Sequence, residues 1–155
     1  MDMAKHVGRA VSMGVRDLDE EYFKSTPKTV VGLGYGDEGK GMTVAVLARE
    51  IRGAGGSPVV VRWNGGPQAA HNVRVTLPDG RQIHHTFSQF GAGTLEGAET
   101  VLSSKTLFQP YSAMREAAAL MSETGESPLH LLTVDPAAPL LLPVHAQCNQ
   151  ALETA

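Results

Sequence analysis

A single cysteine, Cys148, stands in a chain of 155 residues. That scarcity excludes an intrachain disulfide and a cysteine-based zinc site, and it fits a reducing cytoplasmic setting. No apolar run is long enough to span a bilayer, so no membrane partner is expected. A surplus of one charge is also lacking. The net charge is only -3, which removes nucleic acid and acidic membrane surfaces as default partners. The opening stretch, "MDMAKHVGRAVSMGVRDLDEEYFKSTPK", has no apolar signal-peptide core, so no secretory leader is expected. There is no internal repeat and no low-complexity tract. What the chain does have is 42% hydrophobic and 19% charged residues, the balance of a soluble globular protein long enough for one domain with a core.

The expected organisation is two-part. Residues 1–27 are polar and mixed in charge; they read as a flexible extension, compatible with a short helix over Val15 to Lys24, and Met3 and Met13 offer alternative starts. From Lys28 the pattern sharpens. "KTVVGL" (28–33) is an apolar, β-branched run and predicts a buried strand. "GKGMTVAVLAREIRGAGG" predicts a helix, with Val44, Leu47, Ala48 and Ile51 at helical spacing and Gly53, Gly55 and Gly56 ending it. "PVVVRW" predicts a second buried strand, so 28–63 reads as a strand–helix–strand unit with a right-handed crossover. "NGGPQAAH" is a loop. "NVRVTLPDGRQIHHTF" predicts a hairpin turning at Pro78-Asp79-Gly80, and "ETVLS" another buried strand. Pro110 starts a helix to about Glu123 with Met114, Ala117, Ala118 and Met121 on one face. "LHLLTV" predicts a strand and "LPVHAQCNQALETA" a helix, within which the chain stops without a cap. The fold class is therefore α/β, a mostly parallel sheet with flanking helices and an antiparallel hairpin.

The chemistry concentrates in "GLGYGDEGKG". Gly34 to Gly41 fits G-x-x-x-x-G-K-G, a phosphate-loop pattern whose final Ser/Thr is replaced by glycine. That hydroxyl normally helps hold Mg²⁺, so another oxygen is required, and Asp37 is the nearest candidate. A carboxylate among phosphates is tolerable when a divalent cation lies between them. Gly34, Gly36 and Gly39 also fit G-x-G-x-x-G, but a dinucleotide site wants an acid at the end of the next strand. That strand ends in Arg62, Trp63 and Asn64, which favours phosphate binding. A purely structural turn is the bland alternative; Lys40 at a helix start argues against it, because that end already attracts anions.

"YGDEGKG" resembles the N-terminal signature of the adenylosuccinate synthetase family, and the resemblance continues in order. "VVVRWNGGPQAAHNV" is similar to the family's strand and loop ending in G-G-H-N-A-G-H-T. "HHTFSQFGAGT", "LFQPYSAMREAAAL" and "LTVDPAAPLLLPVHAQCNQALE" resemble its following segments, so about residues 28 to 155 are covered. The resemblance implies a GTP-dependent ligase of purine biosynthesis that joins IMP and aspartate through a 6-phosphoryl intermediate, with Mg²⁺. It implies that Asp37 is the general base and a metal ligand, that His71 is the general acid, and that Lys40 holds phosphate oxygens. GTP would meet Gly36, Asp37, Glu38, Gly39, Lys40, Gly41, Met42, Ala70, His71 and Asn72. IMP would meet Asp37, Glu38, Gly39, Lys40, Gln68, Ala69, Ala70 and His71. The Ala70 carbonyl would join Asp37 on the metal.

Departures qualify what the resemblance implies. Met42 replaces the motif's second lysine; Pro67, Gln68 and Ala70 replace His, Asn and Gly; Asn72 replaces Thr. The Gly-Gly-Pro-Gln form resembles the 2-aminoadenylosuccinate synthetase branch, which uses dGMP, although Asp37 is kept here. The family's chain is considerably longer, and its guanine-binding and aspartate segments have no counterpart, so the resemblance implies a truncated portion, half of a split enzyme missing its C-terminal part, or a non-catalytic nucleotide-phosphate-binding fragment. In full length the family implies a homodimer. Elsewhere, His84 and His85 diverge on a strand and make no metal pair; His130 and His145 read as ordinary histidines. Trp63 reads as packing. Arg62 reads as facing the nucleotide or as part of a structural ion pair. Cys148 reads as a small core residue.

Overall fold

The computed structural model describes residues 26–34, 36, 38–77 and 79–153. The expected N-terminal extension, its short helix, and the roles given to Asp37 therefore fall on residues that lie mostly outside the described ones; Pro78 of the hairpin turn lies outside as well.

The first element among the described residues is helix α1, Lys40–Gly53. Its buried stripe is Gly41, Ala45 and Ala48, small residues that let the helix axis come close to its neighbour. The helix ends as the glycines predict, with Gly55 at φ 78°, a conformation that costs glycine little. Strand β1, Val59–Arg62, then enters a parallel sheet ordered β1-β4-β5, with β4 at Glu99–Leu102 and β5 at Leu132–Val134. The register pairs Val61 with Val101 and Val101 with Thr133.

Between β1 and β4 the chain makes the antiparallel hairpin β2 (His71–Thr76) and β3 (Gln82–Phe87). Its alternation is clean: Val73, Val75, Ile83, His85 and Phe87 point inward, and their sequence neighbours point to solvent. The turn is held by the Asp79 carboxylate, which accepts the Arg81 N–H at 2.9 Å, and Gly80 sits at φ 85°. Helix α2, Pro110–Thr124, covers the hairpin's inner face. Val73, Val75, Ile83, Phe87, Phe90, Ala45, Ala117 and Leu120 form the core between hairpin, α1 and α2. Helix α3, Pro143–Glu153, closes the described chain.

Several expectations are corrected. Residues 28–33 do not form a strand: Val31 is 64% and Leu33 95% exposed. The strand–helix–strand unit is thus reduced to α1 and β1. A strand is made by its partner edge, and here residues 26–30 run beside β1 as one wall of a groove of about 400 Å³ without joining the sheet. β1 is consequently an edge strand with Val59 and Val61 about half exposed. The strand predicted over "LHLLTV" is only Leu132–Val134, preceded by a 3₁₀ turn at Pro128–Leu131. The inner face of α2 is Ala113, Glu116, Ala117 and Leu120; Met114 and Met121 face outward. Cys148 is exposed rather than packed, and so is Trp63.

Candidate functional site

α1 runs antiparallel to β1, which sets its N-terminus at the carboxyl end of the parallel strands, where open α/β sheets present their loops. The 64–70 loop after β1 is joined to the 103–109 loop after β4 by the Leu107 N–H, which donates to the Gly65 carbonyl at 2.8 Å, and the first turn of α1 packs on the residues after the 64–70 loop through Gly41 and His71. The turn before α1 needs glycine for backbone reasons at two positions, Gly36 at φ 72° and Gly39 at φ 74°. Gly39 is the N-cap of α1, and no side chain caps it. The first turn contains no acidic residue, so no side chain within it offsets the positive end of the helix dipole.

Glu38 shows what the turn before the helix holds. One of its carboxylate oxygens accepts the Gly34 N–H, and the other pairs with Lys40 Nζ at 2.7 Å. The Lys40 bond, followed by the Gly34 N–H, holds the exposed Glu38 carboxyl below its ordinary range. The turn therefore binds a carboxylate of its own with a backbone amide and an ammonium, the two donor types that also bind phosphate.

His71 begins β2 and lies against the same helix end. A Cβ on Gly41 would come within 3.0 Å of His71 Cβ, so the absence of a side chain at Gly41 is what allows the approach. His71 is partly buried. Burial, then the charges of Arg62 and Lys40, push its imidazole below the ordinary value, against a smaller pull from Glu116. It is consequently neutral near pH 7 and able to donate one ring N–H. Of the other expected residues, Met42, Gln68, Ala70 and Asn72 are exposed and Ala69 is partly so. Asn72 Oδ1 accepts the Thr86 hydroxyl across the hairpin at 2.6 Å. Asp37 lies outside the described residues. Lys40, Gly41 and His71 are thus brought together, with Ala70 adjacent in sequence to His71.

The loops are fixed by Arg62, for which a structural role was one of the two expectations, and by Glu116, which nothing in the sequence marked. Arg62, 8% exposed, donates to the carbonyls of Ser88 and Gly66. It is a structural arginine rather than one reaching toward solvent. Glu116 accepts the N–H groups of Ser88 at 3.0 Å and Gln89 at 2.6 Å, and the Ser88 hydroxyl at 3.1 Å. His85 is buried beside it: Nδ1 lies 3.2 Å from Glu123 Oε2, and Nε2 lies 3.8 Å from Glu116 Oε1. Burial alone would lower His85, but the two carboxylates outweigh it and raise the imidazole. Burial likewise pushes Glu116 up, and His85 together with the Gln89 and Ser88 N–H groups overcomes that and lowers it. A glutamate between Arg115 and Ala117 reads as a solvent-facing residue, and its partners lie 26 to 28 positions away, so no local signal marks it.

A family model described as adenylosuccinate synthetase matches residues 29–155. Curated proteins named adenylosuccinate synthetase are similar over 127 residues: one from Nitrosococcus oceani at 34% identity, one from Pseudomonas putida at 32% and one from Marinomonas sp. at 30%. Each match covers 81% of this chain and 27% of the relative. The chain therefore spans about a quarter of the length of the curated relatives it matches.

Proposed function

The chain belongs to the adenylosuccinate synthetase family, and from that premise we propose that it provides the phosphate-handling part of a ligase in purine nucleotide biosynthesis. In this reading GTP phosphorylates the 6-oxygen of IMP and aspartate then displaces that phosphate. The observation that supports it best is the approach of His71 to the uncapped first turn of α1 beside Lys40. This combines N–H donors, an ammonium and a neutral imidazole around one opening.

The roles follow from that chemistry. Lys40 and the amides of Gly36 to Gly41 bind phosphate oxygens. His71, kept neutral, donates a hydrogen bond to charge that develops during phosphoryl transfer. Asp37 takes the N1 proton of IMP and, with the Ala70 carbonyl, supplies oxygen ligands to Mg²⁺. The donor set fits that ion. A carboxylate and a backbone carbonyl are both hard oxygen donors, and Mg²⁺ characteristically takes one or two protein oxygens and completes its shell with water and substrate phosphate. When bound, the ion would neutralise phosphate charge.

Phosphoryl transfer depends on positioning and charge stabilisation more than on one group. Binding of Mg²⁺·GTP is therefore the property to measure first. The test is calorimetric titration of the purified chain with Mg²⁺·GTP, with and without IMP. Mg²⁺-dependent, saturable binding that is weakened in Asp37→Ala is expected. A folded wild-type chain that binds neither nucleotide would overturn the reading. Steady-state assays with GTP, aspartate and either IMP or dGMP then identify the purine.

A further inference from the structure

We propose that Arg62 is a positioning residue for the candidate site, fixing the turn of the 64–71 loop from its buried place at the end of β1. The inference rests on the reading of that loop as ligand-facing. Arg62 is not itself in contact with the opening; it acts through the backbone it holds.

The geometry is a two-sided anchor. On one side, Arg62 donates through Nη1 to the Ser88 carbonyl. The Ser88 N–H and hydroxyl donate to Glu116, 3.0 and 3.1 Å away. Ser88 is thus gripped between a buried cation and a buried carboxylate, which fixes it relative to α2. On the other side, Arg62 Nη2 donates to the Gly66 carbonyl at 3.3 Å. That same carbonyl accepts the Ala69 N–H at 3.2 Å. It is the hinge of the turn that delivers Ala69, Ala70 and His71.

The neighbouring backbone leaves the loop few alternatives. The Gly65 carbonyl accepts the Leu107 N–H at 2.8 Å. A Cβ on Gly66 would meet Leu107 Cβ at 3.1 Å. The Arg62 carbonyl accepts the Ser103 N–H at 2.9 Å and the Thr106 hydroxyl at 2.6 Å. One residue thereby ties together the loops after β1, β3 and β4.

Arginine suits this place and lysine does not. The guanidinium is a planar fork that can reach two carbonyls in fixed directions while remaining charged in a buried setting. An ammonium is a single point charge with a larger hydration demand. A buried charge whose partners are backbone carbonyls, with Glu116 behind one of them, is an expensive way merely to fill space. The cost is explained if the position of the carbonyls is what matters.

The experiment compares Arg62→Lys, Arg62→Met and Ser88→Ala with the wild-type chain, free of ligand, by amide hydrogen exchange. Exchange over 65–71 is referred to the amides of β4, which report global opening. Both Arg62 variants are expected to speed exchange in 65–71 at least tenfold relative to β4. Ser88→Ala, which keeps the carbonyl that Arg62 grips, is expected to match the wild type over 65–71. In parallel, calorimetry with IMP and Mg²⁺·GTP should show roughly tenfold weaker IMP binding in both Arg62 variants. If 65–71 and β4 accelerate equally, or if 65–71 in Arg62→Lys stays within twofold of the wild type, Arg62 is packing alone and the proposal is overturned. Should Arg62→Met not fold, Arg62→Lys decides. If the wild type binds neither nucleotide, the ligand reading fails while the exchange ratio still judges Arg62.

Discussion

His71 and Gly41 touch across the join between β2 and α1: a Cβ added at Gly41 would lie 3.0 Å from His71 Cβ and 3.4 Å from the Asn72 carbonyl oxygen. Both neighbours belong to the hairpin backbone or stand directly on it, so neither can swing away as a flexible side-chain tip could. Gly41→Ala should gain up to about 1 kcal/mol in helix propensity and lose about 1–3 kcal/mol to overpacking. The expected net is a destabilisation of about 1 kcal/mol, read by urea unfolding. Weakened Mg²⁺·GTP binding should accompany it, because the first turn of α1 must shift. An Ala variant more stable than wild type would show that the contact is loose.

Lys40 offers a test on the charge rather than the backbone. Its ammonium pairs with Glu38 at 2.7 Å in the ligand-free protein, so a phosphate must compete with that carboxylate. Lys40→Ala is expected to weaken Mg²⁺·GTP binding by about 1.5–3 kcal/mol, the range for a charged hydrogen bond. The loss should shrink as salt is added, since the pair is solvent-exposed. Equal affinities in calorimetry would remove Lys40 from the phosphate site.

Helix α2 separates what periodicity can read from what it cannot. Its start was legible because Pro110 punctuates it, and its end at Thr124 falls one residue past the expected Glu123. Its inner face was not legible. Apolar spacing favoured Met114, Ala117, Ala118 and Met121, whereas Glu116 turns inward to take the N–H groups of Ser88 and Gln89, and Met114 and Met121 turn out. Leu120→Ala should therefore cost about 2–5 kcal/mol. Met121→Gln should stay within about 0.5 kcal/mol of wild type. Chemical unfolding of the two variants checks the assignment, and comparable losses would reverse it.

The same division holds elsewhere. The hairpin was legible because alternation and Asp79-Gly80 act locally. That Lys40, Gly41 and His71 lie near one another was implied by the family resemblance and not by periodicity or composition. The strand expected at 28–33 failed because pairing is decided by a neighbouring edge, not by β-branched composition. A structural role for Arg62 was one of two expectations, but its partners are carbonyls rather than a carboxylate; the Glu116 anchor was invisible because its backbone partners are 26 to 28 positions away.

The His85–Glu116 pair predicts a stability profile with two limbs. His85 is raised in the folded state from an ordinary 6.5, so its contribution is complete below that value and is lost as pH rises through the folded pKa, on the alkaline side of 6.5. Glu116 is lowered from an ordinary 4.5, so its contribution is complete above 4.5 and is lost as pH falls through the folded pKa, on the acid side. Together they place a plateau between about pH 4.5 and 6.5. His71 works against a simple reading, because its lowered imidazole makes protonation unfavourable to folding and removes stability as pH drops from the ordinary His value. The profile is therefore best read as differences between variants. His85→Asn should flatten the alkaline limb and also shrink the acid limb, because His85 is the foremost of the groups that lower Glu116. Glu116→Gln should flatten the acid limb and destabilise the protein by about 1–3 kcal/mol near pH 6, since the N–H groups of Ser88 and Gln89 lose a charged acceptor. Urea midpoints from pH 3 to 9 measure both limbs. If the wild-type and His85→Asn curves run parallel above pH 6, then His85 is held neutral in the folded chain and the carboxylates beside it do not charge it.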